Sequence, residues 1–129
     1  MKKIPRKFAT SKLERAALAW LNREGQNYDN GAEGALKDLM YGGCASGMVG
    51  DLIYYHDTLK FYRRHKKEIH ILLKENMETN GSHDPIMLFG DKWDKEDPFA
   101  GGMSNQNLLA WFGFEEAARN VAARAGMEI

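Results

Sequence analysis

Leu13, Ala16, Ala17, Trp20 and Leu21 recur every three or four residues. That spacing lays one apolar stripe along an α-helix and scatters the same residues over both faces of a strand. The period returns in Ala32, Ala35, Leu36, Leu39 and Met40, and again in Phe61, His65, Ile69, Leu72, Leu73 and Asn76. It closes the chain in Trp111, Phe114, Ala118, Val121, Ala122 and Ala125. Ile86–Phe89 has the composition of a short strand, but no other run offers it a partner. The pattern predicts a mainly α protein, a compact single-domain bundle of about five helices over residues 1–129 with one long structured loop.

Punctuation supports these boundaries. Ser11 and Glu14 have the spacing of a capping box, with the serine on the first turn and the glutamate reaching back. Gly25 is expected as a left-handed stop, followed by a polar turn through Asn27, Asp29, Asn30 and Gly31. Ser46 is placed to cap a helix through Val49, Leu52, Ile53 and His56. Asp57 and Thr58, good caps and poor helix-interior residues, predict a break or kink beyond it. The next helix should end near Asn80-Gly81. From Asn80 to Met103 no period holds, and Pro85 and Pro98 interrupt the run. Its Ile86, Met87, Leu88, Phe89, Trp93 and Phe99 suit a loop that packs down. Ser104 then caps the last helix and Gly126 ends it.

The 129 residues suffice for one core, and 43% apolar with 28% charged content is that of a globular chain. Eighteen basic residues balance 18 acids, which argues against a general polyanion binder while concealing local asymmetry. Met1–Arg15 holds six basic residues and one acid, and Lys60–Lys67 holds five basic residues and no acid. Asp84, Asp91, Asp94, Glu96 and Asp97 gather the opposite sign. One cysteine, Cys44, fits a reducing cytoplasm. No apolar run has the length of a signal peptide core or a bilayer span, so no membrane partner is expected.

No catalytic signature is present. Cys44, in the glycine-rich run Tyr41–Gly50, would need its thiol activated by a helix N-terminus and a base such as His56. Its surroundings match no familiar cysteine-enzyme pattern, and small-residue packing explains it better. The glycines suit close packing more than phosphate, since neither the P-loop ending nor Gly-x-Gly-x-x-Gly occurs. His56, His65, His70 and His83 lack ligand spacing, and Asp91, Asp94 and Asp97 lack the alternation of an EF-hand. No metal and no cofactor are expected. Lys60, Arg63, Arg64, Lys66 and Lys67 form the candidate nucleic-acid-binding set, with Tyr54, Tyr55 and Tyr62 available for stacking and the basic N-terminal arm assisting. Trp111, Phe112 and Phe114 diverge around their helix, so it is either buried on two faces or carries a partner surface; burial is favoured.

Two blocks carry a resemblance. Tyr41-Gly42-Gly43-Cys44-x-Ser46-Gly47-Met48-Val49-Gly50-x-Leu52-Ile53-Tyr54-Tyr55-x-Asp57-Thr58-x-x-Phe61-Tyr62 is similar to a segment of small phage and prophage proteins. Leu109-x-Trp111-Phe112-x-Phe114-Glu115-Glu116-x-Ala118 resembles their closing helix. The resemblance implies a mobile-element setting in the cytoplasm of a bacterial host, and it brings no catalytic or binding residue with it.

The leading expectation is therefore a non-enzymatic protein that binds a host protein or ribonucleoprotein complex, most sharply an anti-CRISPR-like inhibitor. Asp91, Asp94, Glu96 and Asp97 would be its partner-binding residues, occupying a nucleic-acid groove on the target. The alternative is a small nucleic-acid-binding protein using the basic face 60–67 and the N-terminal arm.

Overall fold

The structure, a computed structural model, describes residues 3–41, 55–80 and 105–127. Among them are four α-helices, two 3-10 turns and no strand, so the protein is mainly α. Helix α1 spans Lys12–Glu24, α2 Ala32–Tyr41, α3 Tyr55–Asn80 and α4 Asn105–Arg124. Short 3-10 turns at Arg6–Phe8 and Gly25–Asn27 flank α1. The chain divides into two compact units: Met1–Leu52 with Ala117–Ile129, and Ile53–Glu116. Residues 42–54 lie outside the described residues, with the glycines of the run, Cys44 and most of the helix expected from Ser46; so do residues 81–104, on which most of the loop expected from Asn80 to Met103 falls.

In the first unit, α1 starts as its sequence requires. Ser11 Oγ accepts the Glu14 backbone N–H at 3.1 Å, which satisfies one of the amides a helix leaves without a partner. Glu14 does reach back, and its Oε1 accepts from the backbone N–H of Thr10 at 2.8 Å and from the Thr10 hydroxyl at 2.9 Å. Leu13, Ala17, Trp20 and Leu21 are buried as their spacing predicts. Leu18 and Glu14 join them, whereas Ala16 is only half-buried. Ala32, Ala35 and Leu36 supply the inner face of α2.

Gly25 corrects a sequence expectation. Its φ of −57° is right-handed, so it is no left-handed stop; it opens the 3-10 turn instead. A side chain is excluded there by proximity, because a Cβ would lie 2.6 Å from the Ala32 backbone nitrogen. The left-handed residue is Gly31, at φ 66°, six positions later. α4 ends as expected: Gly126 has φ 77°, its N–H reaches Ala123 O at 3.1 Å, and Met127 N–H reaches Ala122 O at 3.0 Å. Those two bonds form a Schellman cap.

In the second unit, α3 runs without interruption from Tyr55 to Asn80. Asp57 and Thr58 lie within its described length and do not break it, contrary to the break or kink expected there. His65, Ile69 and Leu73 are buried, and Phe61 and Leu72 are half-buried. Tyr62, outside the expected stripe, is 1% exposed. Gly113 of α4 lets α3 come close, since a Cβ there would sit 2.7 Å from Ile69 Cγ1. The Phe61 ring tilts against Phe114 at 6.0 Å and against His65 at 4.6 Å between centroids.

The aromatic terminal helix is deeply buried. Leu109, Ala110, Gly113, Phe114, Glu116, Ala117, Ala118, Val121 and Ala122 are all buried. At about 100° per residue they cover well over half the cylinder. Burial on more than one face is therefore the finding for α4, with Phe112 half-buried; the side chain of Trp111 lies outside the described residues.

Candidate nucleic-acid interface

α3 separates its chemistry by face. Tyr62, His65, Ile69 and Leu73 turn inward at i, i+3, i+7 and i+11. The interleaved Lys60, Arg63, Arg64 and Lys67 are solvent-exposed, and Lys66 is half-buried at the margin. The exposed cations follow one another at intervals of one to three residues, so at a rise of about 1.5 Å per residue they span roughly 10 Å of helix. Lys74, one heptad beyond Lys67, is exposed on the same side and roughly doubles that length. The acids of this stretch are Glu68, half-buried and engaged with a neighbour, and Glu75, exposed.

Between the cations stands Ile71, 57% exposed. Sequence reasoning assigned the ridge only as far as Lys67 and missed both Lys74 and Ile71. The signal was present: Arg64 to Ile71 and Lys67 to Lys74 are seven-residue steps, which return to nearly the same side of a helix.

Tyr62 does not belong to this surface. It is buried, so it offers no ring for stacking; its hydroxyl instead hydrogen-bonds His70 Nε2 at 2.6 Å, with the two rings tilted at 5.7 Å. Tyr54 and the Tyr55 side chain lie outside the described residues. So do Asp91, Asp94, Glu96 and Asp97, together with His83 and the side chain of His56. Among the described residues no three His, Cys, Asp or Glu side chains group as metal ligands. Among the same residues no helix is long and apolar enough to cross a membrane.

The basic N-terminal arm is held down at Ile4. Ile4 is buried, its N–H donates to Asn22 Oδ1 at 2.8 Å, and its carbonyl accepts from Asn22 Nδ2 at 3.1 Å. Arg124 donates from Nη1 to the Phe8 carbonyl at 3.0 Å and also to the buried Glu14 carboxylate. Burial pushes the Glu14 carboxyl upward, but hydrogen bonds from Arg124 and Thr10 and the Arg124 charge outweigh it and hold the group below its usual range. Elsewhere in this unit the Tyr28 hydroxyl donates to Asp38 Oδ2 at 2.6 Å. That bond, then burial and the charges of Asp38 and Glu24, push the phenol up to about 12.

The model of a domain of unknown function, DUF7222, matches residues 10–128. The chain belongs to that family. The match takes in all four helices and the ridge on α3, and the family's description assigns none of them a role. No curated protein and no solved structure matches the chain.

Proposed function

We propose that the protein acts by binding and not by catalysis, and that its partner is nucleic acid, met through the exposed ridge of α3. The observation that supports this is the separation of faces: Lys60, Arg63, Arg64 and Lys67 face solvent along a helix whose opposite side is fixed in a core. A rigid row of cations suits a phosphate backbone, which needs charge at short intervals and no particular side-chain geometry. The ridge lacks an exposed described aromatic, so backbone contact and not base stacking would supply the affinity. No cofactor takes part in this reading, and the bacterial cytoplasm of a mobile element's host remains its setting.

Fluorescence anisotropy with single-stranded and duplex oligonucleotides, measured across a salt series, tests the reading. Four phosphate contacts give log K against log salt a slope of about −3 to −4. Replacing Lys60, Arg63, Arg64 and Lys67 together by Gln should remove that slope without unfolding the protein, since all four are exposed. Absence of binding at low salt, or binding that the quadruple variant retains, overturns it. The protein-partner reading through Asp91, Asp94, Glu96 and Asp97 rests on sequence alone. A tagged pulldown from bacterial lysate treated with nuclease separates the two, because one stoichiometric protein surviving nuclease favours the inhibitor.

A further inference from the structure

α3 turns about 100° per residue, so its sequence fixes where each exposed side chain lies around the axis. Measured from Lys60, the cations Lys67, Lys74 and Arg63 fall about 20°, 40° and 60° to one side. Ile71 and Arg64 fall about 20° and 40° to the other, followed by Glu75 and Glu68 at about 60° and 80°. The core residues Tyr62, His65, Ile69 and Leu73 occupy the far side, about 140° to 220° round. The outer face is therefore graded across its width: a cationic row, then a strip made by Ile71 and Arg64, then an acidic border. Among the described residues Ile71 is the one large apolar side chain that is exposed. A lone exposed isoleucine is ordinary; this one stands between Lys60 and Arg64, inside the arc of cations. Among the same residues none of Lys60, Arg63, Arg64, Lys67, Lys74 and Glu75 has an ion pair or side-chain hydrogen bond, so these charges are open to a partner.

We propose that, granted the nucleic-acid reading on which this rests, the partner of the ridge is a single strand and not a duplex. Its phosphates run along Arg63, Lys67 and Lys74, and a base covers Ile71. A duplex presents phosphates on both sides of a helix seated in it. The major groove is about 12 Å wide and a helix with its side chains about 10–12 Å across, so a seated helix meets both walls. On α3 one wall would face the cationic row and the other the border of Glu68 and Glu75, where carboxylate and phosphate repel. A single strand has one row of phosphates and leaves its unpaired bases to the other side. That asymmetry matches the face. A base laid on Ile71 removes apolar area from water, and Arg64 beside it offers a planar guanidinium for a neighbouring base. The acids then face base edges, whose amino groups donate, and not phosphates.

The probes are a labelled mixed-sequence strand without self-complementarity and the duplex of the same sequence, titrated by fluorescence anisotropy at one salt concentration and then across a salt series. The single strand should bind at least about tenfold tighter, because like charges brought face to face cost that much or more. Ile71→Ala, at an exposed position, should weaken the single strand about fivefold and leave its salt slope unchanged, since it removes apolar contact and no charge. Glu75→Gln, also exposed, should narrow the ratio of single-strand to duplex affinity about threefold by relieving one repulsion. The same strand in ribose and in deoxyribose form distinguishes RNA from DNA, the tighter one naming the source. A duplex that binds as tightly as the single strand, or tighter, overturns the proposal and leaves the nucleic-acid reading standing. Absence of binding to either form overturns both. Single-strand binding unchanged by Ile71→Ala, or an affinity ratio unchanged by Glu75→Gln, also overturns the proposal.

Discussion

Removing Glu14 should cost more than any other single polar substitution in α1. Its side chain is 4% exposed and its Oε1 accepts from the Thr10 amide, the Thr10 hydroxyl and Arg124. Glu14→Ala leaves the Thr10 amide short of an acceptor and removes the carboxylate that holds Arg124. Breaking a buried pair typically costs about 3–5 kcal/mol. The Arg124 side chain is 40% exposed, so water can solvate it once released and the estimate falls to about 2–3 kcal/mol. For a chain of this size that is a fall in Tm of roughly 6–12 °C. Denaturant unfolding followed by far-UV circular dichroism gives the free energy directly. The double-mutant cycle with Arg124→Ala should return a coupling of about 1–2 kcal/mol.

The pH dependence offers an independent check. The Glu14 carboxyl is depressed below 4.5 in the folded protein, so its contribution is present above that pH and is lost as pH falls through the lower folded value. The stability gap between the native chain and Glu14→Gln should therefore be constant from pH 7 to about 5 and should narrow below it. A loss under about 0.5 kcal/mol for Glu14→Ala, the size of a neutral surface change, would refute the account. So would a Glu14→Gln gap that does not narrow in acid.

Gly25→Ala should destabilise the first unit by at least about 2 kcal/mol, because the clashing atoms at 2.6–2.9 Å are backbone of Gly31 and Ala32 and cannot rotate away; urea unfolding checks it. The three atoms nearest a Gly113 Cβ all belong to the Ile69 side chain, so Gly113→Ala should cost about 1–2 kcal/mol, and Ile69→Val on the same background should recover part of that loss. Gly126→Ala, at φ 77° with open space around its Cβ position, should lose about 1 kcal/mol through backbone strain alone, and Asn there should lose less. Alkaline titration read at the phenolate absorbance should show one tyrosine ionising near 12, and Asp38→Asn should bring that group back toward 10.

What the sequence disclosed divides by the range of the interaction concerned. Helix caps and stripes are local, and Ser11, Leu13, Ile69 and Gly126 each do what spacing alone predicts. Gly25 was misread because a glycine after an apolar stripe signals either a left-handed cap or a close approach; only the position of Ala32, seven residues on, decides between them. Tyr62 was misread for a related reason. A tyrosine among cations looks like a stacking platform until the helix phase places it beside His65 and Ile69 on the inner side. Arg124 gave no signal at all, since its pairing with Glu14 spans 110 positions and belongs to tertiary structure. The ridge on α3 was legible as composition, but its length was not, because Ile71 interrupts the charges and only exposure shows that Lys74 continues them.

The N-terminal arm changes meaning once its contacts are known. A basic tail that folds only on meeting its partner loses affinity to the ordering of each residue. From Ile4 to Thr10 part of that ordering is already made, with Asn22 holding Ile4, Arg124 holding Phe8 and Glu14 holding Thr10. Three different side chains from two helices hold three points along this stretch, Ile4, Phe8 and Thr10. Arg6 and Lys7 therefore stand, with exposed side chains, on a backbone that is held on both sides of them. Fixed charges select for the spacing of what they meet, whereas a mobile arm accepts any polyanion. For that reason the arm from Ile4 to Thr10 is read as part of the folded surface, and not as an electrostatic lure.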